Sequence, residues 1–414
     1  MSARRLLMVA FHYPPVRGSS GVHRTLAFSR HLRDHGWEPV VLTVHPRAYA
    51  STGDDQMGDI PSGITVERAF ALDTERHLSI LGRYPMALAL PDNWATWYWG
   101  GVRAGMRLIR QHRPAAIWST YPIATAQWIA RTLRRKSGLP WVADLRDSMT
   151  EPGYPPHPRR RRSFLDLERS VVAEATRVVF TAPGARTMYA ERYPEVPEER
   201  WQVIPNGYDE RAFEGASGAP RAPGRGDGPL LLVHSGVLYP SERDPTAFYG
   251  ALADLMRSGE ATPERVQVRL RASGSDAHHQ RLIDEHGIGA IAKLEPPIPY
   301  RAALAEMLDA AGLLVFQASN CNHQIPAKIY EYLRAGRPIL ALTDPAGDTA
   351  GVMRDAGLDT IAPLDSRERI RAMLSRFLAA AARGESQVAG AAVVERHSRS
   401  SRSALLARLL DALG

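Results

Sequence analysis

One cysteine, Cys321, among 414 residues excludes an intramolecular disulfide framework and a cysteine-built zinc cluster, and fits a reducing compartment. Lysine is almost as scarce. Only Lys136, Lys293 and Lys328 occur, so the formal net charge of +8 is carried by arginine. No apolar run reaches the roughly 18–20 residues that span a bilayer as a helix. The opening Met1-Ser2-Ala3-Arg4-Arg5-Leu6-Leu7-Met8-Val9-Ala10 is too short in its apolar part for a signal peptide and runs into a turn, so it reads as a first strand. A cytoplasmic protein is expected. There is no G-x-G-x-x-G fingerprint and no Gly-Lys-Ser/Thr phosphate loop. There is also no Asp-x-Asp triplet: Asp54-Asp55 is adjacent rather than spaced, so no divalent-metal site is expected. The arginines are dispersed, apart from Arg159-Arg160-Arg161-Arg162. No nucleic-acid stripe follows from that, although a diffuse positive field suits a polyanionic substrate or an anionic membrane face.

What is present is ordinary globular composition, 44% hydrophobic and 23% charged, at a length that suggests two domains. Short apolar runs alternate with amphipathic stretches. Leu6–Phe11, Pro39–Val44, Ala115–Ser119, Leu139–Leu145 and Arg177–Thr181 read as strands. Helices are expected over Val22–His35, Ile123–Lys136 and Phe164–Ala175. Strands that do not alternate, interleaved with helices, predict a parallel sheet covered on both faces. Residues 209–228 break the pattern with Gly, Pro and charge and read as a connection. The alternation then resumes with strands at Leu230–His234, Val266–Ala272, Gly312–Gln317 and Ile339–Leu342, and a helical tail begins at 391. Domains are therefore expected at 1–208 and 229–390, with 391–414 as a C-terminal helix. In such sheets the loops at the carboxyl ends of the strands carry the ligand site.

Those loops hold the distinctive residues. Pro326-Ala327-Lys328-Ile329-Tyr330-Glu331-Tyr332-Leu333-Arg334-Ala335-Gly336-Arg337-Pro338 has proline at its helix start and glycine at its stop. Lys328 and Glu331, three apart, share a face. A cation in the first turn opposes the helix dipole unless an anion binds there; the alternative is a plain surface ion pair. Pro14 to Arg24, with Gly18 and Gly21, joins the first strand to the first helix. Trp141-Val142-Ala143-Asp144-Leu145-Arg146-Asp147 ends a strand in two carboxylates flanking an arginine, either a substrate-positioning group or a mutual ion pair. Val203–Asp209 ends the first half in a turn, and Ser235–Pro245 places Gly236 and Arg243 after the second half's first strand.

The ordered set of Tyr13-Pro14-Pro15 with Gly18 and Gly21, Gly36–Thr43, Trp141–Asp147, Ile204–Asp209 and Pro326–Pro338 resembles the retaining GT-B glycosyltransferases of family 4. It is similar in particular to the sugar transferases of bacterial surface-polysaccharide assembly. The resemblance implies an α/β fold of two Rossmann-like doubly wound domains facing a cleft, with a C-terminal helix returning to the first. It makes Glu331 the acceptor of hydrogen bonds from the ribose of a nucleotide-diphosphate-sugar, and Arg243, with Lys328, the diphosphate ligand. Gly18 and Gly21 match the loop that faces the donor across the cleft, Gly236 and Gly274 match the second domain's close-approach glycines, and Ile298 meets the base through its backbone. His323 stands where many members carry the first of two glutamates eight apart, and Arg243 where lysine is frequent, with a different fork geometry.

The implied reaction expels a nucleoside diphosphate from an anomeric carbon and needs no cofactor. Arg243, Lys328 and helix termini take the leaving group's charge in place of a metal. Asp147, and after it Asp144, are the candidates for holding the acceptor hydroxyl or the developing cation. A saccharide or lipid-linked acceptor is expected. Trp94, Trp97, Tyr98 and Trp99 either line its site or pack under a loop. Arg159–Arg162 either meet anionic lipid, peripherally on the inner membrane face, or form a solvated loop before a helix. The competing functions are a sugar-nucleotide epimerase or hydrolase, and a basic membrane- or nucleic-acid-binding module with a degenerate donor pocket.

Overall fold

Runs such as Gly312–Phe316 and Ile339–Leu342 are buried along their whole length, which a strand tolerates only in a sheet covered on both faces. The computed structural model, which describes residues 4–17, 21–54, 56–214, 216 and 228–413, builds two such sheets. They lie in two compact units: residues up to Asn206 together with those from Arg399, and Gly207–Ser398.

In the first unit the strands are β1 (Arg4–Val9), β2 (Trp37–Val44), β3 (Thr65–Ala69), β4 (Ala116–Thr120), β5 (Trp141–Leu145), β6 (Arg177–Phe180) and β7 (Trp201–Val203). All pairs are parallel, in the order β3-β2-β1-β4-β5-β6-β7. The reversal beside β1 is the switch point at which open α/β sheets bind ligands. The Gly21–His31 helix follows β1. The C-terminal helix Arg399–Asp411 adds Leu406, Ala407 and Leu410 to the core formed by Leu6, Met8, Leu26, Phe28, Trp37 and Trp118. Asp411 at its end accepts from Trp37 Nε1 at 2.9 Å and pairs with Arg4. The helical tail expected from residue 391 is thus two helices, Ala391–Arg396 in the second unit and Arg399–Asp411 in the first.

The second unit's strands are β8 (Leu230–Ser235), β9 (Val266–Arg271), β10 (Ala292–Glu295), β11 (Gly312–Phe316), β12 (Ile339–Leu342) and β13 (Ile361–Ala362). They too pair in parallel, ordered β10-β9-β8-β11-β12-β13. Leu232, Phe248, Leu252, Leu270, Leu314, Phe316, Ile370 and Phe377 fill its core. The connection expected at 209–228 is described only at 209–214, 216 and 228. Within it Glu210–Glu214 is a short helix, whose Glu210 pairs with Arg334. No helix among the described residues is long and apolar enough to cross a membrane.

Candidate functional site

The second unit's site is built at the carboxyl ends of β8 and β11. The helix Lys328–Ala335 buries Ile329, Tyr330, Tyr332 and Leu333 and stops at Gly336, whose φ of +63° suits a residue without a side chain. Tyr332 ties it to the sheet, its hydroxyl accepting from the Ser235 amide at 3.2 Å. Lys328 and Glu331 are left half-buried on the remaining face. Tyr300, opening the helix Tyr300–Asp309, donates to Glu331 Oε1 at 2.7 Å and fixes one edge of the carboxylate. Ile298 lies half-buried in the loop just before that helix.

Lys328 Nζ sits 3.2 Å from His234 Nε2, a buried imidazole that sequence reading missed because one histidine in an apolar strand carries no motif. Gly236 explains how the ammonium reaches there. A Cβ on that residue would lie 2.9 Å from Nζ, and its φ is +119°. Gly274, with φ +64°, lies against Val237. Arg243 donates to the Val237 carbonyl at 3.0 Å and lies over the Tyr239 ring. Its positive charge bears on Lys328. Burial, then Arg243, pull the lysine from its ordinary 10.5 to about 7, against the raising effect of Glu331. Arg243 and Glu331 thus bear on Lys328 with opposite signs, leaving an excess of positive charge that suits an anion. His323 lies half-buried in the turn after Ser319–Cys321. A cavity of about 680 Å³ lined by Asp244, His286, Ser319, Asp344 and Arg367 includes neither Glu331 nor Lys328.

This electrostatic strain has a measurable consequence. The folded lysine binds fewer protons than the unfolded one between about pH 7 and about 10.5, so stability rises with pH across that window. The cost is full below about pH 7. Lys328→Met is therefore expected to stabilise the ligand-free protein near pH 6 by about 2 kcal/mol, crediting half the shift for partial exposure. The gain should shrink towards pH 10 in denaturant titrations.

In the first unit Asp144, wholly buried, takes a bidentate grip from Arg24. Nε lies 2.8 Å from Oδ2 and Nη2 3.0 Å from Oδ1. Arg24, not Arg146, is thus its close partner. Arg146 instead donates from Nε to the Tyr121 carbonyl at 2.8 Å. Its guanidinium packs against Gly21, where a Cβ would lie 2.6 Å from Nη2 and 2.9 Å from His12 Nδ1. Gly21 is therefore a close-approach position, but what approaches it here is this chain's own arginine and imidazole. Burial, reinforced by Arg146, holds His12 neutral, with its pKa lowered to about 3. Asp147 is exposed at the end of the strand, and its charge bears on Arg146 and on buried Tyr121. The loop behind it is anchored. Buried Glu168 accepts from Thr150, Tyr189, Tyr193 and Arg192, while Tyr189 Oη accepts from the Met149 amide. Gly18 lies outside the described residues.

Arg159–Arg162 fall within the Pro158–Glu174 helix rather than in a loop before it. Two are engaged: Arg160 on Asn93 Oδ1 at 2.7 Å and Arg161 on the Glu151 carbonyl at 2.6 Å. Of the aromatic group, Trp97 is buried and Tyr98 stacks on Trp128, whereas Trp99 is 75% exposed. Among the described residues no group of three or more His, Cys, Asp or Glu side chains could hold a metal ion.

Residues 20–207 match the family described as "Glycosyl transferase 4-like domain". No curated protein matches the chain in sequence. Solved structures are similar over the whole length. Sucrose-phosphate synthase from Thermosynechococcus elongatus has a TM-score of 0.68 at 16% identity, covering 99% of both chains. Anabaena HepE, solved with UDP and glucose, has 0.66 at 14% identity, again over 99% of each. The lipopolysaccharide outer core galactosyltransferase WaaB has 0.62 at 12% identity over 98% of this chain and 99% of its own. These likenesses agree with two Rossmann-like units of GT-B architecture.

Proposed function

We propose that this chain, a GT-B fold with a glycosyl transferase 4-like domain at residues 20–207, moves a sugar from a nucleotide-diphosphate-sugar to a saccharide or lipid-linked acceptor, with retention at the anomeric carbon. The observation that carries the reading is the pairing of a carboxylate and two cations at the ends of β8 and β11. Glu331 is oriented by Tyr300, Lys328 lies on the same helix, and Arg243 bears on Lys328. In this reading Glu331 accepts from the vicinal ribose hydroxyls. Lys328, Arg243 and the amide end of the Lys328–Ala335 helix take the diphosphate. Anabaena HepE, similar in fold, is solved with UDP-glucose, which supports a donor of this class.

The chemistry demands charge stabilisation where the leaving phosphate develops it. Arg243 and Lys328 supply it as fixed cations. Asp147, exposed at the strand end, is assigned to the acceptor hydroxyl or the oxocarbenium-like sugar. Asp144, with both oxygens held by Arg24, instead fixes the base of that loop. A surface-polysaccharide or glycoconjugate acceptor and a place on the inner membrane face complete the proposal.

A thermal-shift panel of nucleotide-sugars tests it. The correct donor at a hundred times its dissociation constant should add about 2.7 kcal/mol of stability. Release of nucleoside diphosphate should require acceptor and persist in EDTA. Acceptor-independent release would indicate a hydrolase instead, and ligand binding that collapses steeply with added salt a phosphate-backbone reader.

A further inference from the structure

His234 has no place in the donor reading as stated, yet its setting is specific. It is wholly buried at the end of β8. Nδ1 lies 2.8 Å from the Leu314 carbonyl oxygen, which can only accept, so Nδ1 carries the hydrogen. Nε2 is left to accept, with Lys328 Nζ 3.2 Å away, and the Gly236 backbone also lies against the ring. Burial, then the charge of Lys328, hold the imidazole well below its usual range, so it stays an acceptor. Among the described residues the other charges bearing on Lys328 are Arg243 from the loop after β8 and Glu331 from its own helix. The side chain thus has one neutral acceptor to aim it, one repelling cation and one attracting carboxylate.

Resting on the donor reading above, we propose that His234 is a positioning residue that aims Lys328 at the donor's diphosphate, and that the lysine takes up a proton from solvent as that anion binds. The proton balance is simple. The free site holds the amine partly neutral because it is partly withdrawn from water and Arg243 stands near it. Two phosphate charges reverse the local sign, and Lys328 becomes fully ammonium. The imidazole gains and loses nothing. Its lone pair holds one ammonium hydrogen, which leaves the other two for phosphate oxygens. Because the competent form is the ammonium, of pKa about 7 in the free protein, donor affinity should weaken about tenfold from about pH 8 to about pH 9.

The experiment is isothermal calorimetry of the full chain with UDP-glucose and GDP-mannose, whose diphosphates carry no proton that titrates near neutrality. Titrations in buffers of different ionisation enthalpy count the protons taken up. Close to one proton per site is expected at about pH 8.5, falling towards none at about pH 6. Lys328→Met should abolish the uptake and flatten the pH dependence. His234→Asn keeps a donor for the Leu314 carbonyl but removes the Nε2 acceptor, and should weaken binding about tenfold. His234→Gln, which returns an acceptor near that position, should recover most of it. Binding by the wild-type protein with no proton uptake at either pH overturns the inference and leaves the donor reading standing, and that count needs no variant to fold. Wild-type affinity in a folded His234→Asn protein likewise removes the positioning role. Failure of the wild-type chain to bind any nucleotide-sugar overturns the donor reading itself.

Discussion

Arg24→Met is expected to destabilise the first unit by about 3–5 kcal/mol, enough to leave much of the protein unfolded near 37 °C. Arg24 is 3% exposed and Asp144 not at all. The guanidinium satisfies both carboxylate oxygens and also donates to the Pro205 and Ile204 carbonyls at 3.0 and 2.9 Å. One cation therefore binds the Gly21–His31 helix, the end of β5 and the segment after β7. Its removal leaves a buried carboxylate without its hydrogen-bonded cation, with only the more distant charge of Arg146 bearing on it, and two carbonyls without the Arg24 donor, and each of those losses carries a desolvation cost. The double variant Arg24→Met/Asp144→Leu removes both charges and should recover a large part of the loss. Urea titrations of the two singles and the double would separate the pair's net worth from the penalty of breaking it. If Arg24→Met unfolds at wild-type urea concentrations, Asp144 is not held as described and returns as a candidate for chemistry.

This pair also shows how far the sequence could be read. Alternating apolar and amphipathic runs predict both parallel sheets, because strands such as Ile339–Leu342 and helices such as Ala124–Ser137, expected at Ile123–Lys136, are written in period and composition. The edge strands were missed. Thr65–Ala69 is mostly half-buried and Ile361–Ala362 is two residues long, so neither carries an apolar run. The Arg367–Arg383 helix was legible in Ile370, Leu374, Phe377, Leu378 and Ala381 but went unread. Motifs located the loops, since Lys328 and Glu331 share a helix and proline and glycine bound it. They could not pair side chains across strands. Arg24 and Asp144 are 120 residues apart, and His234 and Lys328 are 94 apart. Nothing local in the sequence distinguishes Arg24 from the other arginines, or a histidine that orients a lysine from one that merely fills a core.

Glu331→Ala should weaken nucleotide-sugar binding at least about a hundredfold and leave folding intact. A carboxylate that accepts from two vicinal hydroxyls makes charge-assisted hydrogen bonds worth about 1.5–3 kcal/mol each, and about 2.7 kcal/mol is a hundredfold in affinity. The fold should survive because Glu331 is half-buried and Tyr300, its partner at 2.7 Å, is itself half-buried and can turn to water. The helix keeps its seat through Ile329, Tyr332 and Leu333. Loss of Glu331 also removes a carboxylate that raises the Lys328 pKa, so the repulsion by Arg243 is no longer offset and the lysine loses its proton at lower pH. The variant's residual binding should therefore be confined to the acid side of neutrality, where Lys328 is still charged. Glu331→Gln separates the two effects: it retains an accepting oxygen but not the charge, and should fall between wild type and alanine in affinity while sharing alanine's shifted pH profile. Equal donor affinity in wild type and Glu331→Ala would remove the ribose assignment, because no other carboxylate shares that helix face with Lys328.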